Sequence, residues 1–217
     1  MSRSFWVVVV AVLLVGQSAH AQSLRLNGIE VDKTSANATK AALDKAVDDA
    51  GRALVLVQFS GPIQPAWIEA LEKHGATVHH YVPEYAYFVT LPTNAVETCK
   101  KSSGVIWIGL QPNQTKIAER LGTKVSSAKD DAAKAKLVHV NVLSVDERAA
   151  AELERLGHRI GESVQTQMGW YQADAYLPLS ALTDVAAINS VFNIEEVAQP
   201  KLHGEREAQT AAGRYTE

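Results

Sequence analysis

The chain has 217 residues, of which 47% are apolar and 21% are charged, and its formal net charge is −3. This composition is typical of an ordinary globular protein and argues against extensive disorder. The balance is slightly acidic, and the sequence has no basic run and no arginine–aromatic patch. We therefore expect no nucleic-acid partner.

Residues 1–21 have the features of a secretory signal peptide. Arg3 supplies a positive start, residues 5–15 form an uninterrupted apolar run, and Ala19 and Ala21 complete an A-x-A cleavage signal. We expect a mature protein that begins near Gln22, is secreted or periplasmic, and has no membrane contact after cleavage. The alternative is an uncleaved N-terminal anchor.

The rest of the chain contains an internal repeat. The sequence LEKHG at 71–75 matches LERLG at 153–157, and a Leu-Pro pair at 91–92 matches another at 177–178. The spacing between these anchors requires a small insertion at 165–169 in the second copy, where a turn would tolerate it. The predicted segments are a signal peptide (1–21), an N-terminal extension (22–51), a first repeat (52–117), a linker (118–135), a second repeat (136–202) and a C-terminal tail (203–217).

Each copy shows the same order of predicted elements. A β-branched run predicts the first strand, a helical pattern follows, and Gly75 or Gly157 stops that helix. Ser144 and Glu147 have the spacing of a capping box at the start of the helix in the second copy. Two further strands, a short helix and a fourth strand complete each copy. The predicted strands are 54–59, 77–81, 85–91 and 105–110 in the first copy, and 137–143, 159–164, 170–177 and 191–197 in the second.

The order βαββαβ predicts an α+β fold with two tandem ferredoxin-like domains. Each domain would have a four-stranded antiparallel sheet with both helices on one face. The linker is rich in Lys, Asp, Ser and Ala and could form a weak helix. In the N-terminal extension we expect a strand within 24–31 and an amphipathic helix within 38–50.

Several stretches of the sequence have a family pattern: 54–59 (LVLVQF), 75–78 (GATV), 87–92 (YFVTLP), 104–108 (GVIWI) and, in the tail, 202–209 (LHGEREAQ). Through the first four, the first copy resembles the propeptide and inhibitor family of subtilisin-like serine peptidases. The second copy is similar but more divergent, and the tail resembles the lead-in to the catalytic domain of larger secreted bacterial subtilases.

This resemblance implies a function as well as a fold. Members of the family fold as ferredoxin-like units, press the open face of their sheet on the peptidase, and lay a C-terminal tail along its substrate cleft. They act as folding chaperones and inhibitors. The present chain ends at Glu217, before any catalytic Asp, His or Ser segment of that family. We therefore expect a protein that is not an enzyme.

No chemistry of another kind is indicated. The sequence has no nucleophile with a recognisable base, no phosphate-binding loop and no metal-ligand motif, so we expect no catalytic residue, cofactor or metal. His79 and His80 are adjacent on a predicted strand, point to opposite faces and are expected to be exposed. Cys99 aligns with Val185 of the second copy, which favours a role as core filler.

The two predicted sheets differ on their outer faces. The second copy alternates apolar and polar residues, as a sheet with one wet face does, whereas the first is apolar on both faces. Such a face needs a cover. The cover is either the chain's own second repeat or residues 22–51, or it is a peptidase. The residues predicted to contact a peptidase are Leu56, Phe88, Trp107, Pro200, Leu202 and His203.

These observations favour a secreted, non-catalytic module that binds a subtilisin-like serine peptidase as a folding chaperone or inhibitor. Two alternatives remain. One is a structural or interaction protein of the cell envelope that has the same fold. The other is the N-terminal fragment of a subtilase whose catalytic domain lies outside this chain.

Overall fold

A computed structural model describes residues 23–197. These residues form a mixed α+β structure with two four-stranded antiparallel sheets. The predicted signal peptide (1–21) and the predicted tail (203–217) lie outside the described residues. Within 23–197, no helix is long and apolar enough to cross a membrane.

The first unit consists of an N-terminal hairpin and helix followed by the first sheet. The hairpin turns at Asn27 and Gly28, whose φ values of 48° and 80° suit a tight two-residue β-turn. Thr39 caps the first helix, because its side chain accepts a hydrogen bond from the Ala42 amide at 3.2 Å. The elements are β1 (Arg25–Leu26), β2 (Ile29–Glu30), α1 (Lys40–Ala46), β3 (Arg52–Phe59), α2 (Pro65–Glu72), β4 (Thr77–Val82), β5 (Ala86–Pro92), α3 (Val96–Cys99) and β6 (Val105–Gly109).

The second unit repeats the strand and helix order of the first after two connecting helices. Thr166 to Gly169 form the turn between its second and third strands, where the sequence predicted an insertion. The elements are α4 (Glu119–Ser127), α5 (Asp131–Lys134), β7 (Leu137–Ser144), α6 (Arg148–Arg155), β8 (Arg159–Gln165), β9 (Tyr171–Pro178), α7 (Leu182–Ala186) and β10 (Val191–Glu196).

Both sheets have the same strand order. The first sheet runs β4-β5-β3-β6 and the second runs β8-β9-β7-β10, and every pairing within them is antiparallel. In each unit the first and third strands are therefore central, and the second and fourth lie at the edges. The two copies of the sequence repeat thus have equivalent topologies.

The helices that follow the first strands end as the sequence predicted, but one of them begins differently. Gly75 and Gly157 have φ values of 80° and 81°, a left-handed conformation in which glycine has no Cβ penalty. The predicted capping box at Ser144 is wrong. Ser144 is still part of β7, and its hydroxyl donates to the Asp146 carbonyl at 2.7 Å. Helix α6 instead begins after Glu147, which makes no side-chain cap.

Each sheet buries one face against its own helices. In the first unit Val55, Val57 and Val89 of the sheet pack with Leu71 of α2 and Cys99 of α3. Cys99 therefore fills the core, and its burial raises the pKa of the thiol.

In the second unit Val138, Val140 and Val142 of β7 pack with Leu153 of α6 and Val185 of α7. Hydrophobic burial on these faces supplies each unit with a core of its own.

The segment predicted as a linker is part of the second core. Leu121 of α4 is fully buried, and Val125 packs against the same cluster one helical turn later. The Ala118 amide donates to the Ile194 carbonyl at 2.9 Å, and the Lys124 ammonium contacts the Glu196 carboxylate at 2.6 Å. Residues 117–127 therefore lie against the outer side of β10 and cover that edge of the second sheet.

Leu121→Ala is expected to lower the free energy of unfolding by about 2 to 5 kcal/mol, because it removes a fully buried aliphatic side chain. Ser126→Ala, an exposed position on the same helix, serves as the control and should change stability by less than about 0.5 kcal/mol. Urea denaturation measures both. Equal stabilities of the two variants would mean that α4 does not pack as described.

Candidate functional site

The outer face of the first sheet, predicted as the partner-binding surface, is covered by the chain itself. Leu56 is fully buried and Phe88 is only 2% exposed. Both covers that the sequence suggested within the chain contribute, the N-terminal extension and the second repeat. We call the resulting core the inter-sheet cluster. Its buried members are Leu24, Val31, Ala36, Leu56, Val82, Ala86, Phe88 and Phe192.

Trp107 is half-buried at the rim of the inter-sheet cluster. Its indole Nε1 donates to the Lys33 carbonyl at 3.0 Å and thus holds the N-terminal segment against β6. The same segment runs along the edge of β6, where the Leu110 amide donates to the Ala36 carbonyl at 2.7 Å. A Cβ atom at Gly109 would lie 2.0 Å from the Trp107 ring and 2.4 Å from that carbonyl. Glycine is therefore required for this close approach.

The tail residues Pro200, Leu202 and His203, also predicted as partner contacts, lie outside the described residues. Of the six predicted contacts, the structure thus places Leu56, Phe88 and Trp107 around one cluster. In this arrangement the side chains of Leu56 and Phe88 have almost no surface that a partner could touch.

The predicted exposure of His79 and His80 is wrong. The pairing of β4 with β5 shifts between Val78 and Tyr81, so that two residues of β4 oppose Phe88 alone. This bulge changes the simple alternation of side chains along the strand. Both histidines are partly buried. His79 Nε2 shares a hydrogen bond with the Thr90 hydroxyl at 2.7 Å.

His80 lies among three aromatic rings at the contact between the two units. Its ring centroid is 4.6 Å from that of Phe88 and 4.5 Å from those of Trp170 and Phe192. Its Nδ1 atom is buried and has no hydrogen-bond partner among the described residues. Burial, and to a smaller extent the neighbouring His79, lowers the pKa of His80 to about 4. The imidazole is therefore neutral at physiological pH.

Among residues 23–197, the second unit presents an accessible sheet surface. Only one end of the outer face of that sheet packs on the inter-sheet cluster, through Leu143, Trp170 and Phe192. The other end is not part of that cluster, and Leu137 there is 63% exposed and Tyr176 is 41% exposed. We call this surface the open sheet end. Its residues are Leu137, His139, Asn141, Asp174 and Tyr176.

The side chains of the open sheet end are held in place by one another. The rings of His139 and Tyr176 are stacked, with centroids 4.3 Å apart and an interplanar angle of 4°. His139 Nε2 also forms a hydrogen bond with the Asp174 carboxylate on the neighbouring strand. The result is an ordered aromatic platform bordered by polar groups, a combination that suits contact with another macromolecule.

A cleft of about 550 Å³ lies between the two units on another side of the molecule. Arg148 of α6 bridges it, because its guanidinium contacts Asp146 and, at 3.0 Å, Asp48 of the first unit. The hydrogen bond to Asp146, supported by the contact with Asp48, raises the pKa of Arg148. The ion pair thus connects the units beyond the inter-sheet cluster, although an exposed pair contributes little stability.

The described residues contain no group of three or more His, Cys, Asp or Glu side chains that could hold a metal ion. His139 and Asp174 form a pair without a third ligand. The described residues therefore present three features: the covered outer face of the first sheet, the open sheet end of the second unit, and the charged cleft between the units.

Comparison with known protein families gives a match over the first part of the chain. The model of a family described as a domain of unknown function (DUF8729) matches residues 25–112. This stretch contains both the N-terminal hairpin and the entire first sheet, which the structure packs together. No curated protein and no solved structure matches the chain.

Phe88→Ala is expected to lower the free energy of unfolding by about 3 to 5 kcal/mol, because the ring is buried by the chain's own residues. Ile106→Ala is the control, since Ile106 lies in the same sheet but is 51% exposed. Ile106→Ala should lower the free energy of unfolding far less than Phe88→Ala does. Chemical denaturation compares them, and a loss for Phe88→Ala no larger than for Ile106→Ala would show that the outer face is not covered.

Acid is expected to destabilise the protein through His80. Its pKa of about 4 in the folded chain lies below the ordinary value of 6.5. The unfolded chain therefore binds more protons between these two values, and stability falls as the pH drops from about 6.5 towards 4. Because the ring is only partly buried, we expect this contribution to be about 1 to 2 kcal/mol.

His80→Leu should reduce this pH dependence, whereas His74→Leu, at an exposed position after α2, should leave it unchanged. The measurement is the free energy of unfolding as a function of pH for the three proteins. Parallel curves for the wild type and His80→Leu would contradict the assignment.

Proposed function

We propose that this chain is a secreted or periplasmic, non-catalytic module that binds a subtilisin-like serine peptidase as a folding chaperone or inhibitor. The proposal rests first on the resemblance of the first repeat to the pro-regions of such peptidases. The residues of that resemblance occupy the central and edge strands of the first sheet, and the tail that resembles the lead-in to a catalytic domain follows β10 in the sequence.

The strand orders of both sheets support the tandem ferredoxin-like fold that the resemblance implies. Numbered within each repeat, both run fourth, first, third, second, and the core residues place the helices of each repeat against one sheet face. The split βαβ fold has the same order of elements, which supports the proposal. A fold of this kind hosts many functions, so the function has to be inferred from the surface residues.

The outer faces of the two sheets differ in exposure, and this difference indicates where a peptidase could bind. The resemblance implies that an open sheet face presses on the peptidase. The first sheet's outer face is buried within the chain, whereas the open sheet end presents Leu137 and Tyr176 to solvent. We therefore place the peptidase contact on the second unit instead of on Phe88 and Leu56.

The composition of the open sheet end fits such a contact. Tyr176 supplies a large side chain with only two rotatable bonds, and stacking on His139 restricts it further. Binding energy in interfaces concentrates in aromatic groups of this kind, surrounded by polar groups that exclude water. Asp174 and Asn141 stand beside the stacked rings on paired strands and would form that polar border.

The second candidate function is that of a structural or interaction protein of the cell envelope. The covered outer face of the first sheet favours this function. If the sheet face that the resemblance assigns to a peptidase is permanently used for contact between the units, the fold can persist without that partner. The two candidates differ in whether the purified protein inhibits a subtilisin-like peptidase.

The expected result is concentration-dependent inhibition of a subtilisin-like peptidase from the same cells by the purified chain. Tyr176→Ala should weaken it by at least about 1 kcal/mol, or several-fold in affinity. Tyr81→Ala is the matched control, because Tyr81 is also about half exposed but lies on β4 of the first sheet. If the two variants have equal melting temperatures, the weaker inhibition by Tyr176→Ala reflects lost binding and not lost stability.

Three outcomes would count against the proposal. Absence of inhibition favours the envelope protein. If Tyr81→Ala and Tyr176→Ala weaken inhibition equally, the peptidase does not bind specifically at the open sheet end of the second unit. Hydrolysis of casein that persists through rigorous purification contradicts the non-catalytic assignment.

A further inference from the structure

Lys116 is a buried lysine at the junction of the two units. It ends the short turn of 3-10 helix Asn113–Lys116, which leads from the first sheet to α4, and it is only 5% exposed. Among residues 23–197, its ammonium donates one hydrogen bond, to the Ile188 carbonyl at 3.0 Å. An ammonium has three N–H groups, so two of them remain for another acceptor.

The charge of Lys116 has no counter-charge close by. Among the described residues, no carboxylate lies within ion-pair distance of its nitrogen. Burial alone lowers the pKa of Lys116, to about 8, with no contribution from an acidic neighbour. The side chain is thus mainly protonated at neutral pH, and an unpaired buried charge is strongly unfavourable.

A cavity of about 70 Å³ is lined in part by Lys116. Its polar lining comes from Lys116, Gln111, Asn113 and Asn189, and its apolar lining includes Leu54 and Leu110. The lining thus combines residues of the first sheet, of the connecting turn and of the second unit. Cavities of this size have room for a small ion together with a water molecule.

Gln111 also lines this cavity. The residue is 9% exposed, and its amide nitrogen donates to the Phe192 carbonyl at 3.0 Å and to the Thr115 carbonyl at 3.4 Å. These two bonds orient the side-chain amide of Gln111, and its Oε1 atom is left to accept a hydrogen bond. That atom is buried and has no partner among the described residues. A water bound beside an ion would donate to it.

We propose that this cavity binds a monovalent anion of the size of chloride. The Lys116 ammonium supplies the counter-charge, and the amides of Asn113 and Asn189 at the exposed rim supply neutral donors. A water shared with Gln111 Oε1 completes the coordination. Because the lining comes from both units, the bound anion stabilises their junction, and it binds the folded chain in preference to the unfolded one.

The test compares the melting temperature of the purified chain in increasing sodium chloride, with ionic strength held constant by sodium gluconate, whose anion is too large for the cavity. Above the dissociation constant, chloride should raise the melting temperature by roughly 3 to 6 °C for each tenfold increase in concentration. Bromide should act in the same way.

Two variants separate this site from general salt effects. Lys116→Met keeps the length of the side chain and should abolish the dependence on chloride. Lys40→Met, at a lysine whose side chain is 89% exposed, should retain it. A dependence that persists in Lys116→Met, or that is absent from the wild type, would overturn the proposal.

Crystallography detects the bound anion directly and does not depend on whether Lys116→Met folds. Crystals of the wild-type chain grown in sodium bromide should show an anomalous peak within hydrogen-bonding distance of Lys116 Nζ. Density for water alone in this cavity, with bromide elsewhere or absent, would contradict the assignment.

Discussion

The second unit and the N-terminal segment bury the outer face of the first sheet, and this burial joins the two units. A four-stranded sheet that is apolar on both faces cannot stay exposed to water on one of them. Here Phe88 meets Phe192 from the second unit, with 5.6 Å between ring centroids, and the His80 ring contacts both. The two repeats therefore have cores of their own and share a third one.

The inter-sheet cluster determines which surfaces of the protein are accessible to a partner. It removes Leu56 and Phe88 from solvent, and it uses one end of the second sheet's outer face as part of the cover. The remaining end of that face keeps its stacked His139 and Tyr176 accessible. The same approach of the units forms the cleft bridged by Arg148 and encloses the cavity beside Lys116. The positions of the candidate sites are thus consequences of one packing arrangement.

The sequence predicted the elements well because their signals are local. Runs of β-branched residues marked the strands, and Gly75 and Gly157 marked the helix ends. The alternation along β7 and β9 correctly predicted which side chains of the second sheet face the helices. These patterns depend on neighbours in the chain, so a single sequence contains them.

The features that the sequence missed depend on residues far apart in the chain. The bulge at His79 and His80 is a property of the register with β5, which the residues of β4 do not specify alone. Leu121 and Val125 stand among polar residues in α4, and their packing on the second core is visible only once β10 lies beside that helix. The open sheet end was likewise hidden, because the sequence could not tell how far each unit covers the other.

The most direct test of the shared cluster is a double-mutant cycle between Phe88 and Phe192, with alanine at each position and at both. Residues in contact typically show coupling energies of about 0.5 to 3 kcal/mol, whereas distant pairs add within about 0.3 to 0.5 kcal/mol. The free energies of unfolding should therefore reveal a coupling clearly above 0.5 kcal/mol. Strict additivity of the two substitutions would contradict contact between the units and, with it, the assignment of the accessible surfaces.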